Sequence, residues 1–311
     1  AWRGPAHLAL AEIDGTRGAL ADALDHVEES LRHDVENSVA RNLRAALLLK
    51  LGRTTEAEAL LAETLARDPL DARARALKGL PFDGDDQLHL DVAIETARGG
   101  FVADALAILD ARVAAAGHAA SPLLHYHAAI LADRLGKSVE PYLAAAAKAL
   151  PDYCFPARLE DIAALQAAIG ANPADGRAPC YLGNLLYDRR RHADAIAMWE
   201  RSVAIDPSWS IPWRNLGIAY FNIERSEPKA VAAYDKALAA NPLDARLVYE
   251  RDQLWKRIGR SPAERLTELE SRLDLVASRD DLSVELSALY NQLGRPEKSV
   301  PLICGRAFQP W

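Results

Sequence analysis

RAPCYLGNLLYDRRRHADAIAMWERSVAIDP, residues 177–207, is followed by SWSIPWRNLGIAYFNIERSEPKAVAAYDKALAANP, residues 208–242. Leu182-Gly183 in the first segment returns as Leu216-Gly217 in the second. Ala195-x₃-Trp199 returns as Ala230-x₃-Tyr234, and Asp206-Pro207 as Asn241-Pro242. The Leu-Gly pairs lie 34 residues apart (216 − 182) and the prolines 35 (242 − 207), so one residue is inserted near Ser226-Glu227-Pro228. A glycine midway along one helix lets a second helix approach, because no side chain stands between the backbones. Ala195 and Ala230 serve the same approach from the second helix. Trp199 and Tyr234, one turn on, are expected to plug the space between successive hairpins. Pro207 and Pro242 stop the second helix, since proline lacks the N–H and clashes with the preceding turn.

This unit resembles the tetratricopeptide repeat, whose pattern is W-x₂-L-G-x₂-Y…A-x₃-F…P. The second copy carries Trp213-x₂-Leu216-Gly217-x₂-Tyr220 in full; the first has Pro179 and Leu186 at the aromatic positions. One hairpin cannot bury its apolar face alone, so the unit implies an array. The expected fold is therefore all-α, a right-handed superhelical solenoid of about eight helical hairpins. One array is expected over 1–311, with degenerate repeats in 1–150, the clearest in 151–260 and C-terminal hairpins in 261–311.

The rest of the chain is read from this template. Ala6–Leu31 makes a degenerate hairpin turning at Gly15, and Ser38–Asp71 a weaker copy with Arg41 and Arg44 at two apolar positions. GLPFDGDD, residues 79–86, reads as an acidic loop; its aspartates lack EF-hand spacing. Gln87–Arg98 and Phe101–Ala115 follow, then a hairpin opened by Ser121 at N-cap and Pro122 at N1 and continued over Val139–Leu150. Tyr153-Cys154-Phe155-Pro156 is an extended break before a helix over Ala157–Ile169. Ala245–Ile258 with Pro262–Leu273, and Leu282–Leu293 with Glu297–Ala307, complete the array.

Composition excludes several classes. Of 311 residues half are hydrophobic and only 6% aromatic, and the net charge is −7. An acidic chain lacks the basic face that nucleic acid or an anionic membrane requires. No run approaches the ~20 apolar residues of a membrane span. Cys154, Cys180 and Cys304 are odd in number and widely spaced, so no disulfide framework or thiolate zinc site is expected, and a cytoplasmic setting fits. His26 and His33 lie seven apart, too far to share a metal, and His125 and His127 point about 200° apart on a helix. No cofactor is expected. Glu268 and Glu270 face different ways and do not form a glycosidase pair.

A wider resemblance rests on DPLDARARALKG (68–79), DYCFPARLEDIAAL (152–165), YLGNLLYDRRRHADAIAMWERSVAIDP (181–207), RLVYERDQLWKRIGRSPAERL (246–266) and LYNQLGRPEKSV (289–300). These are similar to the C-terminal repeat region of bacterial proteins carrying a domain of unknown function. In that family a galactose-mutarotase-like β-sandwich precedes the repeats. The resemblance implies a non-catalytic protein-protein interaction scaffold, whose groove takes a peptide or the neighbouring β-sandwich. The alternative is a helical accessory part of a carbohydrate-active enzyme, or such an enzyme itself. Ala1 in place of a methionine, and the aromatic ending Phe308-Gln309-Pro310-Trp311, lead to the expectation of a fragment that self-associates weakly through an end hairpin.

The groove residues follow from the repeat register. Carboxylate-clamp repeats hold a peptide C-terminus at positions that fall here on Asn184, Asn215 and Arg246, whereas Cys180 and Glu250 replace basic residues of the clamp. Arg177, Tyr181, Tyr187, Arg214, Ile218, Phe221, Tyr249 and Lys256 complete the expected partner groove, aromatic and arginine chemistry being typical of interface anchors. Arg189-Arg190-Arg191-His192 reads as a solvated hairpin turn.

Overall fold

The structure, a computed structural model, describes residues 2–152, 154–304 and 306–308. Tyr153 of the expected break, and Gln309, Pro310 and Trp311 of the aromatic ending, lie outside the described residues. Helix is the only regular structure among the described residues. The chain divides into two compact units at Asn172/Pro173.

Unit 1 contains α1 (Arg3–Thr16), α2 (Leu20–His33), α3 (Ser38–Lys50), α4 (Thr54–Arg67), the short α5 (Ala72–Leu77), α6 (Asp86–Arg98), α7 (Val102–Ala116), α8 (Pro122–Arg134), α9 (Glu140–Lys148) and α10 (Leu159–Ala171). Antiparallel hairpins form from α1–α2, α3–α4, α6–α7 and α8–α9, and α10 packs on α8. Unit 2 contains α11 (Arg177–Asp188), α12 (His192–Ile205), α13 (Ser210–Asn222), α14 (Glu227–Ala240), α15 (Ala245–Arg257), α16 (Pro262–Glu270), α17 (Leu273–Ser278), α18 (Asp280–Gln292) and α19 (Pro296–Cys304). Its hairpins are α11–α12, α13–α14, α15–α16 and α18–α19. Each unit has its own apolar core, built around Leu24, Leu47 and Leu61 in the first and Leu247, Leu266 and Leu286 in the second.

One position recurs. The fourth residue of each hairpin's second helix is buried: Ala23, Ala57, Ala105, Leu143, Ala195, Ala230, Arg265 and Ser299. Twelve or thirteen residues earlier each hairpin buries another: Ala11, Ala45, Ala93, Leu131, Gly183, Gly217, Asp252 and Ser287. Small residues at both places let two backbones cross closely. Where the first is glycine the ring one turn on fills the space: a methyl group on Gly183 would lie 2.6 Å from Trp199 Nε1, and one on Gly217 2.7 Å from the Tyr234 ring. Trp199 and Tyr234 thus pack across their own hairpin, where only a glycine leaves room for so large a ring, and Tyr234 also reaches the next hairpin through its hydroxyl on Glu250. In α15–α16 the small pair becomes an ion pair, with Arg265 Nη2 2.6 Å from Asp252 Oδ2. In α18–α19 it becomes two hydroxyls, Ser287 Oγ and Ser299 Oγ, 2.5 Å apart.

The turns explain the spacing. Three residues join α11 to α12 and four join α13 to α14, which accounts for the inserted residue. Arg190 (φ 60°) and Arg225 (φ 56°) take the left-handed conformation that Gly52 (φ 75°) supplies in α3–α4.

Four sequence boundaries change. Gly15 lies inside α1, and the turn falls at Gly18 (φ 77°). Gly15 is instead a contact point: a methyl group there would meet the Gly99 carbonyl oxygen at 2.5 Å, so α1 sits directly on the end of α6. The break around Phe155 runs further, to Arg158, because Asp161 accepts from the Ala157 and Arg158 N–H groups and caps α10 at Leu159. After α16 the chain makes the separate short α17 rather than one long helix to Leu273. The last helix ends at Cys304, short of Ala307.

Candidate functional site

In unit 2 the first helices α11, α13 and α15 carry a continuous polar ladder. Trp199 Nε1 donates to Asn184 Oδ1 at 3.0 Å, and Asn215 Nδ2 donates to the same oxygen at 2.9 Å. Arg214 Nη1 reaches Asn215 Oδ1 at 3.4 Å. The same guanidinium grips Glu250 in fork fashion, Nε to Oε2 at 2.6 Å and Nη2 to Oε1 at 2.5 Å. Arg246 Nε adds a third contact to Glu250 Oε1 at 2.8 Å, and Tyr234 Oη a fourth, to Oε2 at 3.4 Å. Burial pushes the Glu250 carboxyl up, but the Arg214 and Arg246 guanidiniums outweigh it and hold it below the usual carboxylate range. Glu250 therefore does more than repel an incoming carboxylate. It occupies both arginines.

Beside the ladder lies a cavity of about 280 Å³ lined by Ile218, Phe221, Tyr249 and Glu250, with Gly217 and Tyr234 behind. Seven of the eleven candidate residues, Asn184, Arg214, Asn215, Ile218, Phe221, Arg246 and Tyr249, thus belong to the ladder or to the cavity it borders. The other four go elsewhere. Tyr181 is buried with its ring edge-on to Trp209, and the Arg177 guanidinium lies 5.9 Å over the same indole. Tyr187 packs between His192 and Trp199, with ring centroids 4.6 and 5.3 Å away. Lys256 Nζ contacts Glu285 at 2.9 Å, and Glu285 also meets Arg265. The arginine run sits at the α11–α12 turn, where Arg191 pairs with Asp194.

Unit 1 holds a counterpart that the sequence reading passed over. Asp71-Ala72-Arg73 repeats as Asp244-Ala245-Arg246, and Asn42 precedes Arg73 by the same 31 residues that separate Asn215 from Arg246 (73 − 42, 246 − 215). That duplication was the available signal. Asn42 Nδ2 donates to both oxygens of Asp71 at 3.0 Å. Arg73 is 4% exposed, and its three nitrogens make no hydrogen bond among the described residues. Its nearest carboxylate is Glu95, 3.9 Å away, and Leu77 stands where unit 2 has Glu250. Desolvation lowers the Arg73 pKa, against the pull of Glu95, Asp71 and Glu12.

A second buried pair escaped the sequence reading because its partners come from different helices. His127 Nε2 lies 2.7 Å from Asp161 Oδ1. Burial pushes Asp161 up, but hydrogen bonds from His127 and from the Arg158 and Ala157 N–H groups outweigh it and hold the carboxyl below its ordinary value. Glu268 and Glu270 go to different partners, Arg251 and Arg272 for the first, Tyr290 and Lys298 for the second. Among the described residues no group of three or more His, Cys, Asp or Glu side chains could hold a metal ion, and no helix is long and apolar enough to cross a membrane.

Comparison with known proteins matches residues 16–80 to the family described as Tetratricopeptide repeat, a span from the end of α1 past α5. Among solved structures, a crystal structure of MamA is similar at 20% identity, covering 46% of this chain and 82% of that one, with a TM-score of 0.40. MamA 41-end from Desulfovibrio magneticus RS-1 is also 20% identical, covering 63% and 98%, with a TM-score of 0.35. The crystal structure of the APC/C hetero-tetramer Cut9-Hcn1 is 15% identical, covering 90% and 54%, with a TM-score of 0.38.

Proposed function

We propose that the chain is a non-catalytic protein-interaction scaffold, one repeat array within a larger protein, that contacts a peptide or a neighbouring β-sandwich domain. The observation that carries this reading is the cavity bordered by Ile218, Phe221 and Tyr249 next to the arginine-carboxylate ladder. Half-buried aromatic anchors beside a fixed polar row are what a specific protein contact uses. Because Glu250 already engages both Arg214 and Arg246, the main contribution asked of the partner at this face is apolar. The tetratricopeptide match at 16–80 and the similarity to C-terminal repeats that follow a β-sandwich support the same reading. So does the separation of Glu268 from Glu270, which counts against a carbohydrate-active enzyme. A cytoplasmic setting suits the three widely spaced cysteines, Cys154, Cys180 and Cys304, which offer no disulfide framework.

Hydrogen exchange on the 311-residue chain and on a full-length protein containing it tests the proposal. Added protection at α13 and α15 is expected in the longer protein. The Phe221→Ala/Tyr249→Ala double variant should lose that gain while melting within a few degrees of the parent. Identical protection of every helix in both proteins would remove this face from consideration.

A further inference from the structure

Unit 1 carries a half-open cavity of about 200 Å³ between α6, α8 and α10, with the end of α1 at one side. Its body is hydrocarbon, supplied by Leu90, Ile94, Leu109, Ile130 and Leu131. A space of roughly 150 Å³ with such walls stays dry and admits a benzene ring, so this one has the size for a ring or a short branched chain. The polar groups on its wall are mostly committed. His127 Nε2 is held by the fully buried Asp161, Thr16 Oγ1 donates to the Ile13 carbonyl at 2.7 Å, and Arg98 Nε is paired with Glu160 at 2.8 Å. They offer little to an entering water, which needs two to four polar partners.

Arg134 is the exception. It closes the last turn of α8, lines the cavity, is exposed, and has no acidic partner among the described residues. With Arg98 and Glu160 cancelling each other, the charged side chains lining the cavity sum to one positive charge. We infer that this cavity is a binding site for a small carboxylic acid with an apolar body, the body seated among Leu90, Ile94 and Ile130 and the carboxylate against the Arg134 guanidinium. The site is built from unit 1 alone and is independent of the interaction face in unit 2.

Calorimetric titration of the 311-residue chain with benzoate, and with benzamide and benzyl alcohol as uncharged probes of the same size, tests the inference. Benzoate should bind saturably and more tightly than either. Arg134→Gln, a change at an exposed position, should weaken benzoate roughly ten-fold, to the level of benzamide, as expected for loss of one charge-assisted contact. Ala163→Phe, placed at the exposed edge of the cavity on α10, should abolish binding of all three probes without lowering the melting temperature. Absence of saturable benzoate binding would overturn the inference. So would equal benzoate affinity in the parent and in either variant.

Discussion

Hairpins α3–α4 and α15–α16 occupy the same repeat register and meet with opposite chemistry. In the first the crossing is Ala45 and Ala57, both fully buried. In the second it is Asp252 and Arg265, exposed by only 3% and 4% and joined by two hydrogen bonds of 2.9 and 2.6 Å. The repeat therefore fixes a place and a spacing, not a residue type. Two methyl-sized side chains, a glycine with an indole, two hydroxyls or an ion pair each satisfy it, provided nothing buried is left without a partner.

Breaking the charged version should have the largest effect. Arg265→Ala leaves Asp252 buried and unpaired and should cost about 3–5 kcal/mol in denaturant unfolding. The double variant Asp252→Leu/Arg265→Met should recover most of that, because a well-packed apolar pair often replaces a buried ion pair without loss. A double variant as unstable as the single would mean that the pair contributes more than its own neutralisation. Trp199→Ala empties the space over Gly183 and should cost a similar ~3–5 kcal/mol. If it melts like the parent, the indole is not what fills that crossing. Ala57→Leu overpacks the small-residue version and should cost about 1–3 kcal/mol. The same substitution at a surface alanine of α4 should cost far less, which separates crowding at the crossing from helix propensity.

The smallest effect sharpens the comparison from the acid side. Asp161 in unit 1 and Glu250 in unit 2 are both held below their ordinary values of 3.8 and 4.5. A depressed carboxylate contributes stability above its unfolded value and loses it as the pH falls through the folded one. Melting temperature followed from neutral pH to below 3.8 should therefore fall less steeply at the acid end in Asp161→Asn than in the parent. Glu250→Gln should flatten the acid limb less, since the Glu250 side chain is 18% exposed and that of Asp161 is not exposed at all. Equal flattening would mean that burial is not what sets the difference.

The architecture was legible wherever it depends on local spacing. Gly183 and Gly217 lie 34 residues apart and Ala195 and Ala230 lie 35 apart, the extra residue falling in the α13–α14 turn, whereas the seating of each ring against the glycine of its own hairpin came from the structure. Proline and serine at 121–122 marked the start of α8 correctly, since Ser121 Oγ accepts from the Leu123 N–H at 3.4 Å. The family match falls on 16–80, where the motif is weaker, rather than on 177–242.

The candidate site was legible only as positions. Arg214 and Arg246 were placed on the right helices, yet their occupation by Glu250 depends on α13 and α15 lying side by side. Asp252 and Arg265 stand at the glycine and alanine positions of the preceding repeat, and a strict register count would have found them. By itself the sequence determined the helical period, the small-residue crossings and most of the turns, because each depends on residues within about one turn or one period of one another. Only the tertiary structure decided which charges are spent. It joined His127 to Asp161 and tied Arg214 and Arg246 to Glu250, while Arg134 was left without an acid among the described residues. A charge is neutralised by whatever lies within a few ångströms, and those neighbours come from helices that spacing along the chain does not bring together.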